Sequence, residues 1–206
     1  MELRHRHHFT AVTQLNRKVI ARGVYGSTKV ATPTGWRCAA SLTVGDCVLT
    51  VANGAQLIRQ IDTVSVEPDH GQLWSMHLPA RSFGAIAAHS LPPHQPLLIE
   101  PDQALPFCGE PFALIPALAL NGWRGAAPFM ADAPEQPLVL RFDKPDMIYA
   151  GPGLILGCPG ISDQPEDWNR LTENPATAEL GLSAGRQLVA CLIAEDTGSG
   201  LRSALA

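Results

Sequence analysis

The sequence predicts an all-β domain. From Gly23 to about Gly160 the chain is rich in Pro and Gly, and short apolar runs follow one another between turn signals. Many short strands with frequent turns indicate an all-β fold rather than alternating βαβ units. The composition supplies a core for it: 46% of the 206 residues are hydrophobic and only 17% are charged, which suits one domain with appendages or one large β domain.

Taken in order, Met1 to Ala21 is a polar head with a partly helical reading over Thr10 to Ile20. Pro33 and Gly35 make Thr32 to Gly35 a turn between extended segments, since Pro fixes φ and Gly tolerates positive φ. Gly45-Asp46 is a second turn, leading into a strand at Val48 to Val51. Ala52-Asn53-Gly54-Ala55 reads as a hairpin turn. Further strands are expected at Leu57 to Val66, Leu73 to Leu78, Pro96 to Ile99, Phe112 to Ile115 and Leu138 to Phe142. Gly160 to Pro175 is acidic and reads as a linker or a short surface helix. Leu182 to Ala194 has helical spacing at Leu182, Leu188, Val189, Leu192 and Ile193; Ser183 could cap it, and Gly185 weakens it. Gly198 to Ala206 reads as a frayed tail. No internal repeat is evident. The division is therefore an extension over 1–22, a β domain over 23–158, and a linker with a helical extension over 159–206.

Charge and composition exclude several classes of function. A net charge of −4 argues against nucleic acid as a partner. Arg4 to His8, with Arg17 and Lys18, is the local basic cluster and reads as a solvated tail. No apolar run reaches the roughly 18 residues of a membrane span, and Phe9 to Val19 is too broken to be the core of a signal peptide. No membrane partner and a cytoplasmic location are expected. Cys38, Cys47, Cys108, Cys158 and Cys191 are scattered and odd in number, so thiolate zinc is not expected and most read as small buried hydrophobes. Trp36, Trp74, Trp123 and Trp168 read as core or rim residues.

The order of motifs resembles Hint domains, the fold shared by inteins and Hedgehog autoprocessing domains, and in particular a bacterial branch of them. The resemblance begins in Val30 to Thr50 (VATPTGWRCAASLTVGDCVLT) and continues through Gln56 to Ile61. Arg81-Ser82-Phe83-Gly84, Leu91-Pro92-Pro93-His94 and Pro96 to Ile99 look like the segment around the family's Ser/Thr-x-x-His motif. Ile115-Pro116-Ala117 to Leu120-Asn121-Gly122 and Leu138 to Gly151 (LVLRFDKPDMIYAG) resemble its later stretches. The order and spacing together, over about Val24 to Gly153, carry the resemblance; no single piece does.

That resemblance implies a chemistry and shows what is missing from it. In the family a Cys opening the first strand attacks its own preceding peptide bond, and the motif His activates that bond. Here the nucleophile's place falls near Gly23, in Gly23-Val24-Tyr25-Gly26-Ser27-Thr28, and holds no Cys. His94 matches the motif His, but Leu91 replaces its Ser/Thr. Val139 and Pro145 stand at or near later His positions, while Asp146 remains. The candidate catalytic residues are thus His94 and Asp146, with Ser27 and Thr28 as alternative hydroxyl nucleophiles about four residues late. The expected function is a degenerate Hint-like domain without self-splicing or self-cleavage, acting as a structural or interaction module with another protein as the partner class. The first alternative is an active self-cleaving domain using a hydroxyl. The second is a metal-dependent activity of His70, His77, His89 and His94 with Asp69 and Asp102. No cofactor and no metal are expected under the leading reading.

Overall fold

The computed structural model describes residues 22–63, 73–102, 104–131, 135–163 and 179–204. The helical reading of Thr10 to Ile20, the basic cluster, Trp168 and most of the acidic linker fall outside these residues.

The domain is all-β. Its first hairpin joins β1 (Lys29–Thr32) to β2 (Gly35–Cys38), with Thr32 opposite Gly35. Pro33-Thr34 is therefore a two-residue loop, and Gly35 sits at φ +116, where a side chain would be strained. The second hairpin joins β3 (Cys47–Thr50) to β4 (Gly54–Leu57). Its loop is Val51 to Asn53, and Gly54 opens β4. Asp46 holds the turn before β3: its Oδ2 accepts from the Thr43 amide at 2.8 Å, and its Oδ1 lies 3.2 Å from Arg37.

The single strand expected over Leu57 to Val66 is two strands within the described residues, β4 and β5 (Gln60–Thr63). The chain changes partner at Ile58-Arg59: the Ile58 amide still donates to Asp46, and the Arg59 amide already donates to Arg141. The other expected strands appear as β6 (Leu73–Leu78), β8 (Pro96–Ile99), β9 (Ala113–Pro116) and β11 (Leu138–Arg141). The sequence reading missed β7 (His89–Leu91), β10 (Ala127–Ala131) and β13 (Leu154–Cys158). Strand β12 (Asp146–Ala150) completes the Leu138 to Gly151 stretch.

These strands form a large antiparallel sheet in the order β2-β1-β12-β13-β8-β9, with β3 branching from β12 and β4 pairing β3. A three-stranded sheet, β10-β6-β7, and the pair β11-β5 complete the described sheets. The start of the domain meets its end across long separations: Val24 bridges Leu138, and Val30 pairs Ala150. Phe142, Ile58, Met76, Leu97 and Ile148 are among the large side chains fully buried between the sheets.

Helices are minor within this domain. One short helix, α1 (Ala104–Cys108), precedes β9, and a 3-10 turn at Ala117–Leu120 follows it. The C-terminal helix α2 (Leu182–Ala204) is longer than expected and continues into the expected frayed tail as far as Ala204. No Pro occurs after Pro175 to stop it. It begins at Leu182, so Ser183 lies in its first turn rather than at a cap. Gly185 serves packing: a Cβ there would lie 3.1 Å from the Ala119 Cβ, so its absence lets α2 approach the 3-10 turn. Leu188, Val189 and Leu192 are buried in that contact, whereas Ile193 is exposed. Among the cysteines with described side chains only Cys158 is buried; Cys38 and Cys47 are half-buried and Cys191 is exposed. Most of these therefore depart from the buried expectation, because the strands and helix that carry them turn those positions toward the rim. No described helix is long and apolar enough to cross a membrane.

If α2 is integral to the core, Leu188→Ala should destabilise the whole chain by about 2–4 kcal/mol in urea unfolding followed by circular dichroism. A change below about 0.5 kcal/mol would mean that α2 rests only loosely on the β domain.

Candidate functional site

The region of interest is where the chain enters the β domain. Gly23 sits at φ +119, and a Cβ built on it would lie 2.6 Å from the Leu138 carbonyl oxygen and 3.2 Å from Val139 Cγ2. Sterics and backbone conformation both reserve this position for glycine. The next residue locks the approach, since Val24 and Leu138 exchange backbone hydrogen bonds at 2.9 and 2.8 Å.

The side chain that holds this entry is Gln95, which the sequence reading did not single out. It is 1% exposed and uses both ends of its amide. Its Oε1 accepts from the Gly23 amide at 2.8 Å. Its Nε2 donates to the Gly157 carbonyl at 2.8 Å and the Pro96 carbonyl at 3.1 Å. Two chain segments distant in sequence thus converge on one buried amide. A buried polar group so satisfied is stabilising, whereas removing it orphans its partners.

His94, one residue earlier, is half-buried in the same loop. Burial and the positive charge of Arg22 hold its imidazole below the ordinary 6.5, so the neutral ring is favoured. Arg22 is itself buried and makes a two-pronged ion pair with Glu179, at 2.9 and 3.1 Å. Burial raises the Glu179 carboxyl against the pull of Arg22. Glu179 also bridges Leu114 of β9, so this pair ties the entry to the segment leading into α2. Leu91, where the sequence resemblance expects a motif hydroxyl, is fully buried opposite Met76.

Asp146 is buried and occupied as a structural acceptor. Its Oδ1 accepts from the amides of Met147 at 2.7 Å and Ala52 at 3.2 Å, and its Oδ2 accepts from Asn53 Nδ2 at 2.7 Å. It fixes the β3–β4 loop against β12. Opposite it across the β12–β13 ladder stands Cys158. Burial pushes that thiol up to about 12, the Arg22 charge pulls it down, and Asp146 raises it further. It is a protonated, unreactive thiol at neutral pH.

The hydroxyl candidates lie apart from this cluster. Ser27 is exposed, and its amide donates to Glu135 Oε2 at 2.9 Å. Thr28 is buried, with its amide on the Tyr25 carbonyl. Among the described residues neither hydroxyl makes a hydrogen bond, so no base is positioned to activate it. The histidines of the metal reading are also dispersed. His77 lies edge-on to Phe129. The His89 ring packs against Gly151, where a Cβ would come within 2.3 Å of His89 Cε1. Asp102 is exposed, and Asp69 and His70 lie outside the described residues. Among the described residues no three His, Cys, Asp or Glu side chains come together as a metal would require.

Comparison with known proteins gives one likeness of structure. The solved structure of the Msm DnaB1 intein splicing domain bound with zinc is similar to this chain at 16% identity, over 66% of this chain and 99% of that one, with a TM-score of 0.41. No family model matches the chain, and no curated protein matches it.

Two outcomes follow from this geometry. Gln95→Leu leaves the Gly23 amide and the Gly157 carbonyl unpaired, and should cost about 2–4 kcal/mol in chemical denaturation. The second concerns pH. Unfolded, the His94 imidazole takes up its proton near 6.5; folded, it does so at lower pH. Its contribution is therefore complete above that value and is lost as pH falls through the interval below it. Glu179 acts in the opposite sense, because its raised carboxyl costs stability as pH rises above its ordinary 4.5. Comparing wild type with His94→Gln isolates the imidazole. Between about pH 7 and pH 5 the variant should lose less stability than wild type, and parallel curves would contradict the placement of His94.

Proposed function

We propose that this chain is a Hint-like domain that no longer cleaves itself and that serves as a structural or protein-interaction module. The observation that carries the proposal is Gly23. The sequence resemblance puts a nucleophilic Cys near this place, and at Gly23 the backbone conformation and the Leu138 carbonyl leave no room for any side chain. The surroundings agree. Val139, at or near a later His position of the family, packs beside Gly23 with an inert methyl group. The amide that a nucleophile's strand would present is held by Gln95, a group with no acid or base function at neutral pH. Asp146 has its oxygens committed to the β3–β4 loop and the start of β12. What remains is a neutral imidazole beside an ion pair, with nothing to activate. A β scaffold whose turns and core persist without that chemistry is suited to presenting a surface.

Intact mass spectrometry of the purified full chain tests this reading. Incubation with dithiothreitol or hydroxylamine should leave the full-length mass unchanged, because no thioester or ester forms to be intercepted. A fragment beginning between Gly23 and Thr28 would overturn it.

A further inference from the structure

A second feature lies away from the entry. Where α2 crosses the β domain, a cavity of about 400 Å³ opens between α2, the end of β8 and the turns around Phe83, Trp123 and Gly153. That volume is in the range of small-molecule sites, about 300–1,000 Å³. Its walls are built closely. Gly84 and Gly153 meet there backbone to backbone at positive φ; a Cβ on Gly153 would collide with the Gly84 carbonyl. Phe83 and Arg124, both non-glycine residues, are held at φ 54 and 46 on its lining. Such strain persists only where the surrounding structure enforces it.

The lining has a definite chemistry. Trp123 is buried and pairs edge-on with Phe83 at 5.3 Å between ring centroids. Its Nε1 donates to Asp196 Oδ2 of α2 at 2.9 Å, which fixes the indole. Leu98, Ile99, Ile155 and Leu192 supply the apolar part. Glu100, Asp102, Glu195 and Asp196 supply carboxylates, against the single guanidinium of Arg124 among the described lining residues. The cavity also shows how a cation sits there. The Arg124 guanidinium carbon lies 4.6 Å from the Trp123 ring centroid and its Nε lies 3.7 Å from Asp196 Oδ2. An aromatic face backed by carboxylates is the recognition chemistry of organic cations.

We propose that this cavity is a binding site for an organic cation with an apolar stem, an alkylguanidinium or alkylammonium, and that Arg124 occupies the cation's seat in its absence. The ligand could be a free amine or the basic side chain of another protein; the recognition chemistry is the same. The proposal does not depend on the entry at Gly23.

Isothermal titration of the full chain tests it with agmatine as the free cation and N-acetyl-arginine amide as the side-chain mimic. N-acetyl-citrulline amide serves as the neutral isostere. At least one of the two cations should bind saturably with a dissociation constant below about 1 mM, and whichever binds more tightly identifies the source. The citrulline compound should not bind. Glu100→Gln with Asp102→Asn changes two exposed residues and should weaken the cation by roughly tenfold. Arg124→Ala vacates the seat and should tighten it. The absence of saturable binding by both cations would overturn the proposal. So would equal binding of the citrulline compound, indifference to the carboxylate changes, or unchanged or weaker binding in Arg124→Ala.

Discussion

The structure depends on one buried amide. Gln95 connects the entry of the chain at Gly23, 72 positions before it, to Gly157, 62 positions after it. Around it the sheet closes: β8, which begins at Pro96, pairs β13, and β13 pairs β12, which receives β1. These pairings are long-range and are costly to assemble in entropy. A side chain that satisfies two segments at once defines how they meet, and a buried amide left half-satisfied would favour neither. The Arg22–Glu179 pair adds a second tie at the same place, reaching the segment before α2. Because both charges are largely withdrawn from water, that pair contributes orientation more than stability.

The same constraint separates scaffold from chemistry. An autoprocessing site needs a nucleophile free to approach its own backbone carbonyl and an acid or base aimed at that bond. At this entry Gly23 has no side chain to offer, an aliphatic side chain lies beside it, and a neutral amide takes the hydrogen bond. Two of the carboxylates are already engaged, Asp146 with the β3–β4 loop and Glu179 with Arg22.

Much of the fold was legible because turns are specified locally. Gly35, Gly45 and Gly54 adopt the positive φ that their neighbours in sequence call for. The runs at Leu73 to Leu78, Pro96 to Ile99 and Leu138 to Arg141 are apolar enough to read as strands in isolation. The break at Ile58 was not legible, because it is set by a change of partner rather than by any residue there. Gly185 was read as a weakness in a helix, and only the approach of Ala119 explains it. Of the candidate site, the sequence shows directly that Gly23 to Thr28 holds no Cys. Gln95 could not: a polar residue between prolines has no local signature, and its partners are distant in sequence. The tight space at Gly23 was hidden for the same reason, since Leu138 and Val139 create it.

Amide hydrogen exchange at Gly23, read by NMR on the full chain, tests this account most directly. A donor held by a buried side chain at the closure of the sheet should exchange only when the domain opens, slowed by on the order of 10³-fold or more relative to an unstructured peptide. Exchange within about tenfold of the peptide rate would mean that the entry is open and that Gln95 does not hold it, which would contradict the account.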